Sequence, residues 1–190
     1  MATTNTGISK FKSNFSGGAR PNLFECRIQF PDDNAQLQNE ARFLIKGGSI
    51  PASVIAPIEV PFRGQKLKIA GDRTFEPWTI TVINDVNFNL RDAFEKWMNR
   101  VNNHEANVSD DAVVGQHLNY FREMEVIQLD RDGDEGGIKA YTFIDAFPTN
   151  VSAIELNYET NDAVEEFTVE LQYQYWRAFS GGEGGEEITS

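Results

Sequence analysis

Asp130, Asp132 and Asp134 in the stretch DRDGDEGG stand at alternate positions, the spacing with which loop carboxylates surround a calcium ion. The rest of such a loop does not follow. Glu135 occupies the place where the sharp turn needs glycine, and Tyr141 the place where a bidentate glutamate would close the coordination sphere. A solvated hairpin connection is the better reading. His104 and His117 are the only histidines, neither has a cysteine or second histidine at ligand spacing, and no metal site is expected. The chain shows no serine elbow or phosphate-cradling glycine loop, and no two of its many carboxylates are set apart as an acid and base pair. Asp72 and Arg73, just after Gly71 in AGDRTF, could form a catalytic diad, yet no nucleophile accompanies them. A guanidinium here suits a bidentate pair with a carboxylate of its own chain or of a neighbouring one. The expectation is a protein without catalysis and without a cofactor.

The bulk numbers agree with that restraint. A formal charge of −12 and a pI near 4.6 leave little clustered Lys and Arg with which to grip a phosphate backbone. The single cysteine, Cys26, excludes an intrachain disulfide and falls on the apolar side of an expected strand, so a buried thiol in a reducing compartment is expected. The opening MATTNTGISKFKSNF lacks the apolar centre of a signal peptide, and no apolar run approaches the ~20 residues of a membrane span.

The elements that would position these residues are mostly strands. Residues 1–19 read as a flexible polar arm with Phe11 and Phe15 as isolated apolar points, residues 20–178 as one β-rich domain, and residues 179–190 as a flexible acidic tail. LFECRIQF alternates Phe24, Cys26, Ile28 and Phe30 against Glu25, Arg27 and Gln29. A polar insert near Asp32 to Glu40 leads to a short strand in RFLIKGG. Pro51, Pro57 and Pro61 rule out a helix and point to an edge or a long hairpin that turns near RGQ and returns through Leu67 and Ile69. Gly71 is expected to turn the chain again, with Asp72, Arg73 and Thr74 as a charged turn touching its own subunit or the next, and Phe75 and Trp78 as anchors leading into a strand with Ile80 and Val82 inward. NLRDAFEKWMNRVNNH is the one convincing helix, with Asn89 as N-cap, Asp92 in its first turn, and Leu90, Phe94, Trp97, Met98 and Val101 at helical spacing. After a loop over 103–119, REMEVIQL, IKAYTFIDAF, VSAIELNYE and EFTVELQYQYW read as strands, with PTN as a turn. Seven or eight strands and one helix predict a mainly β fold, a two-sheet β-sandwich or barrel with one flanking α-helix.

Five segments in this order, RPNLF, GQKLKIAGDRTFEPWTITVIND, FEKW, FPTNVSAIELNYETND and EFTVELQYQYW, are similar to the tail tube protein family of T4-type contractile-tailed phages, from about Arg20 to Trp176. The resemblance implies a two-sheet barrel that assembles into stacked hexameric rings, the inner tube of a contractile tail and the channel for DNA ejection. It further implies copies of the same chain, a sheath, and baseplate or terminator proteins as partners, a place in the virion tail after assembly in the host cytoplasm, and DNA that passes through the lumen unbound. An acidic lumen would repel phosphate. The insert at 32–40, the segment at 102–120 and the Gly/Glu tail depart from the family pattern. A baseplate-proximal tube initiator, a secretion or bacteriocin tube, and a monomeric acidic ligand- or calcium-binding β-domain are the alternatives.

Overall fold

The structure, a computed structural model, describes residues 7–15, 17–32, 34–105, 119–131, 137–181 and 186–188. In chain order its elements are α1 (Ile8–Asn14), β1 (Phe24–Ile28), α2 (Ala35–Leu44), β2 (Ile45–Gly47), β3 (Val54–Phe62), β4 (Gln65–Thr74) and β5 (Trp78–Ile83). There follow α3 (Asn89–Val101), β6 (Arg122–Gln128), β7 (Lys139–Val151), β8 (Glu166–Gln172), β9 (Tyr175–Ser180) and β10 (Glu186–Glu187). Among the described residues all pairings are antiparallel: β1, β6, β7, β9 and β10 form one sheet, β2, β5, β8 and β7 the other, and β3 pairs only with β4.

A single strand therefore belongs to both sheets. The first half of β7 pairs with β9, from Lys139 opposite Ser180 to Ile144 opposite Tyr175, and the second half pairs with β8, from Phe147 opposite Gln172 to Val151 opposite Val169. Between the halves Asp145 takes a left-handed conformation (φ 54°), and opposite it the chain leaves β8 at Tyr173 and enters β9 at Tyr175. The amide of Gln174 holds the corner by donating to the Ile144 carbonyl at 3.0 Å. The segment expected as one final strand is thus two strands of different sheets, because the barrel wall has to bend there.

Side chains from both sheets and α3 meet in one core. Trp78, Ile80 and Val82 of β5 face inward beside Phe167, Val169 and Leu171 of β8, in the period of two that the sequence shows. Trp78 stacks on Phe143 with centroids 4.5 Å apart and donates its indole N–H to the Ser49 carbonyl at 2.7 Å. From α3, Phe94 meets Phe30 edge-on at 5.2 Å, and Trp97 donates to the Tyr120 carbonyl at 2.7 Å. Trp78, Phe94 and Trp97 are each at most 2% exposed; Phe75 is half-buried against Tyr173 at 5.9 Å.

Several expectations are corrected. Asn89 is the first residue of α3 rather than its cap: Phe88 precedes the helix in a left-handed conformation, and Asp85 Oδ1 accepts from the Asn89 amide at 2.9 Å, serving the cap from outside. The polar insert at 32–40 becomes α2, whose N-cap Asn34 accepts from the Gln36 amide at 3.0 Å and whose Ala41 is buried. A second short helix, α1, lies in the N-terminal arm with Phe11 and Phe15 stacked at 5.1 Å. PTN is no turn, since β7 runs through it and a register shift between Pro148 and Asn150 accommodates the missing proline donor. VSAIELNYE leaves the strand after Val151 and runs as loop into a turn at Tyr158 and Glu159. The last three described residues are joined to β9, with Glu186 opposite Ser180 and the Ile188 amide donating to the Ala178 carbonyl at 2.8 Å.

Removing the Phe94 ring leaves a cavity between helix and sheets, a loss of about 3–5 kcal/mol for a fully buried aromatic. Phe94→Ala should lower the unfolding free energy read from urea denaturation by an amount of that size, a large share of the ~5–15 kcal/mol typical of a domain. A loss below about 1 kcal/mol would show that α3 does not share the core.

Candidate assembly surface

The β3–β4 hairpin is amphipathic, yet both of its faces are exposed. In its register Ile58 lies opposite Ile69, Val60 opposite Leu67 and Phe62 opposite Gln65, so these side chains share one face; Glu59 opposite Lys68 and Pro61 opposite Lys66 share the other. Ile58, Val60, Phe62, Leu67 and Ile69 are all exposed, Phe62 by 68%. Arg63 and Gly64, both at positive φ (45° and 84°), make the two-residue turn that the twist of a hairpin favours, at the place expected from RGQ. Arg63 lies over the Phe62 ring at 5.3 Å.

Gly71 is not a turn. It lies inside β4, where Gly71 and Asp72 together stand opposite Ala56, because the register shifts between Ile55 and Pro57. A Cβ on Gly71 would come within 2.4 Å of the Ala56 carbonyl oxygen, so the glycine is needed for close approach at a bulge rather than for a reversal. The extra residue sets Arg73 opposite Ile55 and Thr74 opposite Val54. Among the described residues Asp72 and Arg73 form no ion pair with each other or with any neighbour. Arg73 instead lines an open groove of about 510 Å³ at the hairpin's base, beside Lys139, Tyr141, Trp176 and Arg177. Arg177 is answered by Glu187 at 3.7 Å.

A second uncovered surface lies at the far end of β5. Residues 152–165 connect β7 to β8 without secondary structure beyond a turn, and they enclose a groove of about 670 Å³ lined by Ile154, Leu156, Tyr158 and Val164. Leu156 is 81% exposed and Tyr158 fully so. The loop is anchored at both ends: Arg91 of α3 donates to the Ser152 carbonyl at 2.9 Å, Asn84 donates to Glu165 at 2.9 Å, and Lys46 pairs with Glu166 at 2.6 Å. The sequence pattern missed this surface because its apolar residues alternate as a strand's would.

Ordinary site chemistry has little to build on. Of the supposed calcium loop, Asp132, Asp134 and Glu135 lie outside the described residues, as does His117; Asp130 accepts from the Arg131 amide, and His104 sits in an exposed turn. Among the described residues no three potential ligands converge. Cys26 is buried and free, its thiol pushed up to about 12 by burial and by the nearby charge of Glu25. Burial draws the Glu25 carboxyl upward, but hydrogen bonds from Arg42 and Arg27 outweigh it and hold the group below its usual value. These groups tie β1 to α2 and are structural.

The fold and its sequence both have relatives. Residues 19–179 match the family described as phage tail tube protein. The tail tube protein gp19 of Enterobacteria phage T4 is 32% identical over 158 residues, covering 83% of this chain and 90% of that one. The tail tube protein of Serratia phage KSP90 is 30% identical over 178 residues, 91% of this chain and 95% of its own. A cryo-EM structure of the anti-feeding prophage baseplate, 6-fold symmetrised, contains a similar fold (TM-score 0.62, 14% identity, 87% of this chain and 97% of that one). So does the sheath–tube complex of an extracellular contractile injection system in the extended state (TM-score 0.55, 13% identity, 92% and 99%). With its matched segment spanning both sheets, α3 and both uncovered surfaces, the chain belongs to the phage tail tube protein family, the structural components of virion tails.

Proposed function

We propose that this chain assembles with copies of itself into hexameric rings that stack as the inner tube of a contractile tail, through whose lumen DNA passes at ejection. The observation that carries the reading is the β3–β4 hairpin. An isolated two-stranded hairpin is marginal in water, and this one exposes a face of five large apolar side chains while its outer backbone groups have no third strand among the described residues. Contact with a second copy covers both. The similar fold in a baseplate described as six-fold and in a sheath–tube complex supports rings of six and a surrounding sheath, with baseplate and terminator proteins at the ends. The net charge of −12 suits a channel that repels phosphate, so that DNA slides without sticking. One buried free thiol suits assembly in the host cytoplasm.

Arg73 belongs to this reading as an intersubunit contact, with Gly71, Asp72 and Thr74 shaping the bulge that presents it. It shares its groove with two further cations, and the single carboxylate there among the described residues serves Arg177, which leaves Arg73 suited to a carboxylate of another copy.

Placing charge on the apolar face, Ile58→Asp with Leu67→Asp, should leave the circular dichroism and urea midpoint of the subunit close to wild type, since both positions are exposed, and should abolish rings and tubes in negative-stain images. Tubes that persist in the double variant would remove the hairpin from the assembly. Arg73→Glu should weaken assembly by about tenfold or more in the protein concentration required, the scale of a lost charge-assisted hydrogen bond. An unchanged critical concentration by sedimentation would leave Arg73 a local surface residue.

A further inference from the structure

The two uncovered surfaces differ in shape and in charge. The hairpin projects from the barrel and carries Arg63, Lys66, Lys68 and Arg73 against Glu59 and Asp72, a positive excess within an acidic chain. The loop at 152–165 together with Glu166 holds five carboxylates and no cation. Glu165 and Glu166 are engaged by Asn84 and Lys46, while Glu155, Glu159 and Asp162 make no ion pair among the described residues. Inside that acidic rim lies the groove lined by Leu156, Tyr158 and Val164.

Their placement is as informative as their chemistry. The hairpin joins the barrel through Phe75 at the Trp78 end of β5, where Trp78 is opposite Leu171. The loop joins at the other end, where Ile83 is opposite Glu166 and the Asn84 amide donates to the Glu165 carbonyl at 2.8 Å. Complementary surfaces at opposite ends of one strand can meet reciprocally in a two-fold pair or head to tail, and of these only head-to-tail contacts close a larger ring or continue along a filament, as the self-assembly reading requires.

We infer that the tip of the β3–β4 hairpin of one copy, led by Phe62 and Leu67 with Arg63 at its rim, seats in the acidic groove under residues 152–166 of the next copy. The inference rests on the self-assembly reading and names the receptor that the reading leaves open. Phe62 and Leu67 supply apolar surface to Leu156, Tyr158 and Val164. Arg63 and the hairpin lysines meet the carboxylates that have no cation of their own, so apolar burial gives affinity and the charges set orientation.

Cysteine pairs test it directly, because the one native thiol is buried. With Phe62→Cys and Tyr158→Cys in the same chain, a short bis-maleimide should give a ladder of covalent multimers from assembled tubes, and each single variant should give none. A ladder that stops at six places the contact within a ring, and one that runs on places it between rings. Tubes of the double variant that yield no ladder would overturn the inference. Hydrogen exchange on the wild-type protein covers the case in which a cysteine variant fails to assemble: amides of both 58–69 and 154–164 should gain protection on passing from subunit to tube. Protection of the hairpin alone would overturn the inference and leave self-assembly standing, whereas a wild-type protein that forms no rings or tubes would remove the assembly reading itself.

Discussion

A strand is complete only when its backbone groups and its apolar side chains both have partners, and among the described residues β3 and β4 satisfy neither condition beyond their own pairing. Their inner amides and carbonyls bond across the hairpin, but the outer rows find no strand among the described residues, and Ile58, Val60, Phe62, Leu67 and Ile69 are exposed. In an ordinary monomer such an edge would be shortened, charged or covered, since it is a template for uncontrolled pairing. Here the prolines do part of that protection: Pro57 and Pro61 lie on β3 and remove two donors from it, which limits how many ways another strand can join. The polar face, with Lys66 and Lys68 around Glu59, gives a foreign sheet an unfavourable neighbour. The hairpin is open, but open selectively.

The rest of the molecule holds that hairpin at a defined position. β7 ties the two sheets together by belonging to both, and the corner at Asp145 and Gln174 bends the pair of strands as one unit. Trp78 fixes the start of β5 by stacking on Phe143 and bonding to Ser49, directly after the hairpin returns to the barrel. At the other end Arg91 grips Ser152 and lies over the Phe167 ring at 5.3 Å, which attaches the 152–165 loop to α3 as well as to the sheet. A rigid strand with one fixed surface at each end sets the distance between successive contacts, and a constant spacing is what a regular assembly requires.

Much of the barrel was legible because burial on one face imposes a period of two. The runs containing Cys26 and Ile28, Trp78 to Val82, and Phe167 to Leu171 show that period and stand where it puts them; Phe94 and Trp97 show the helical one. The errors have physical causes. Gly71 looked like a turn because glycine is common in turns, but its lack of a Cβ serves the Ala56 carbonyl at a bulge, and only the partner strand shows that need. VSAIELNYE alternates as a strand does, yet Leu156 and Tyr158 stand exposed at the mouth of a groove instead of joining the core. α2 was hidden because it buries little beyond Ala41, so its polar composition resembled a loop. Leu67 and Ile69 show in the sequence only as parts of a hairpin, since a sequence records that a residue is apolar and not whether the surface it meets belongs to the same chain.

That last gap explains how an acidic subunit can still attract its own kind. Net charge acts on copies at long range as repulsion and keeps free subunits soluble, with a reach of about 8–10 Å at ordinary ionic strength. Within that reach the distribution matters more than the total. The hairpin carries a local positive excess and the 152–166 segment, among its charged groups, only carboxylates, so in the proposed contact the orientation that brings opposite ends together is the one with favourable charge. Apolar burial by itself would favour association in many geometries, whereas charges of opposite sign at the two ends of β5 give the association a direction. In the proposed tube such directional attraction would make the assembly polar and leave its remaining surface negative, the sign that repels phosphate.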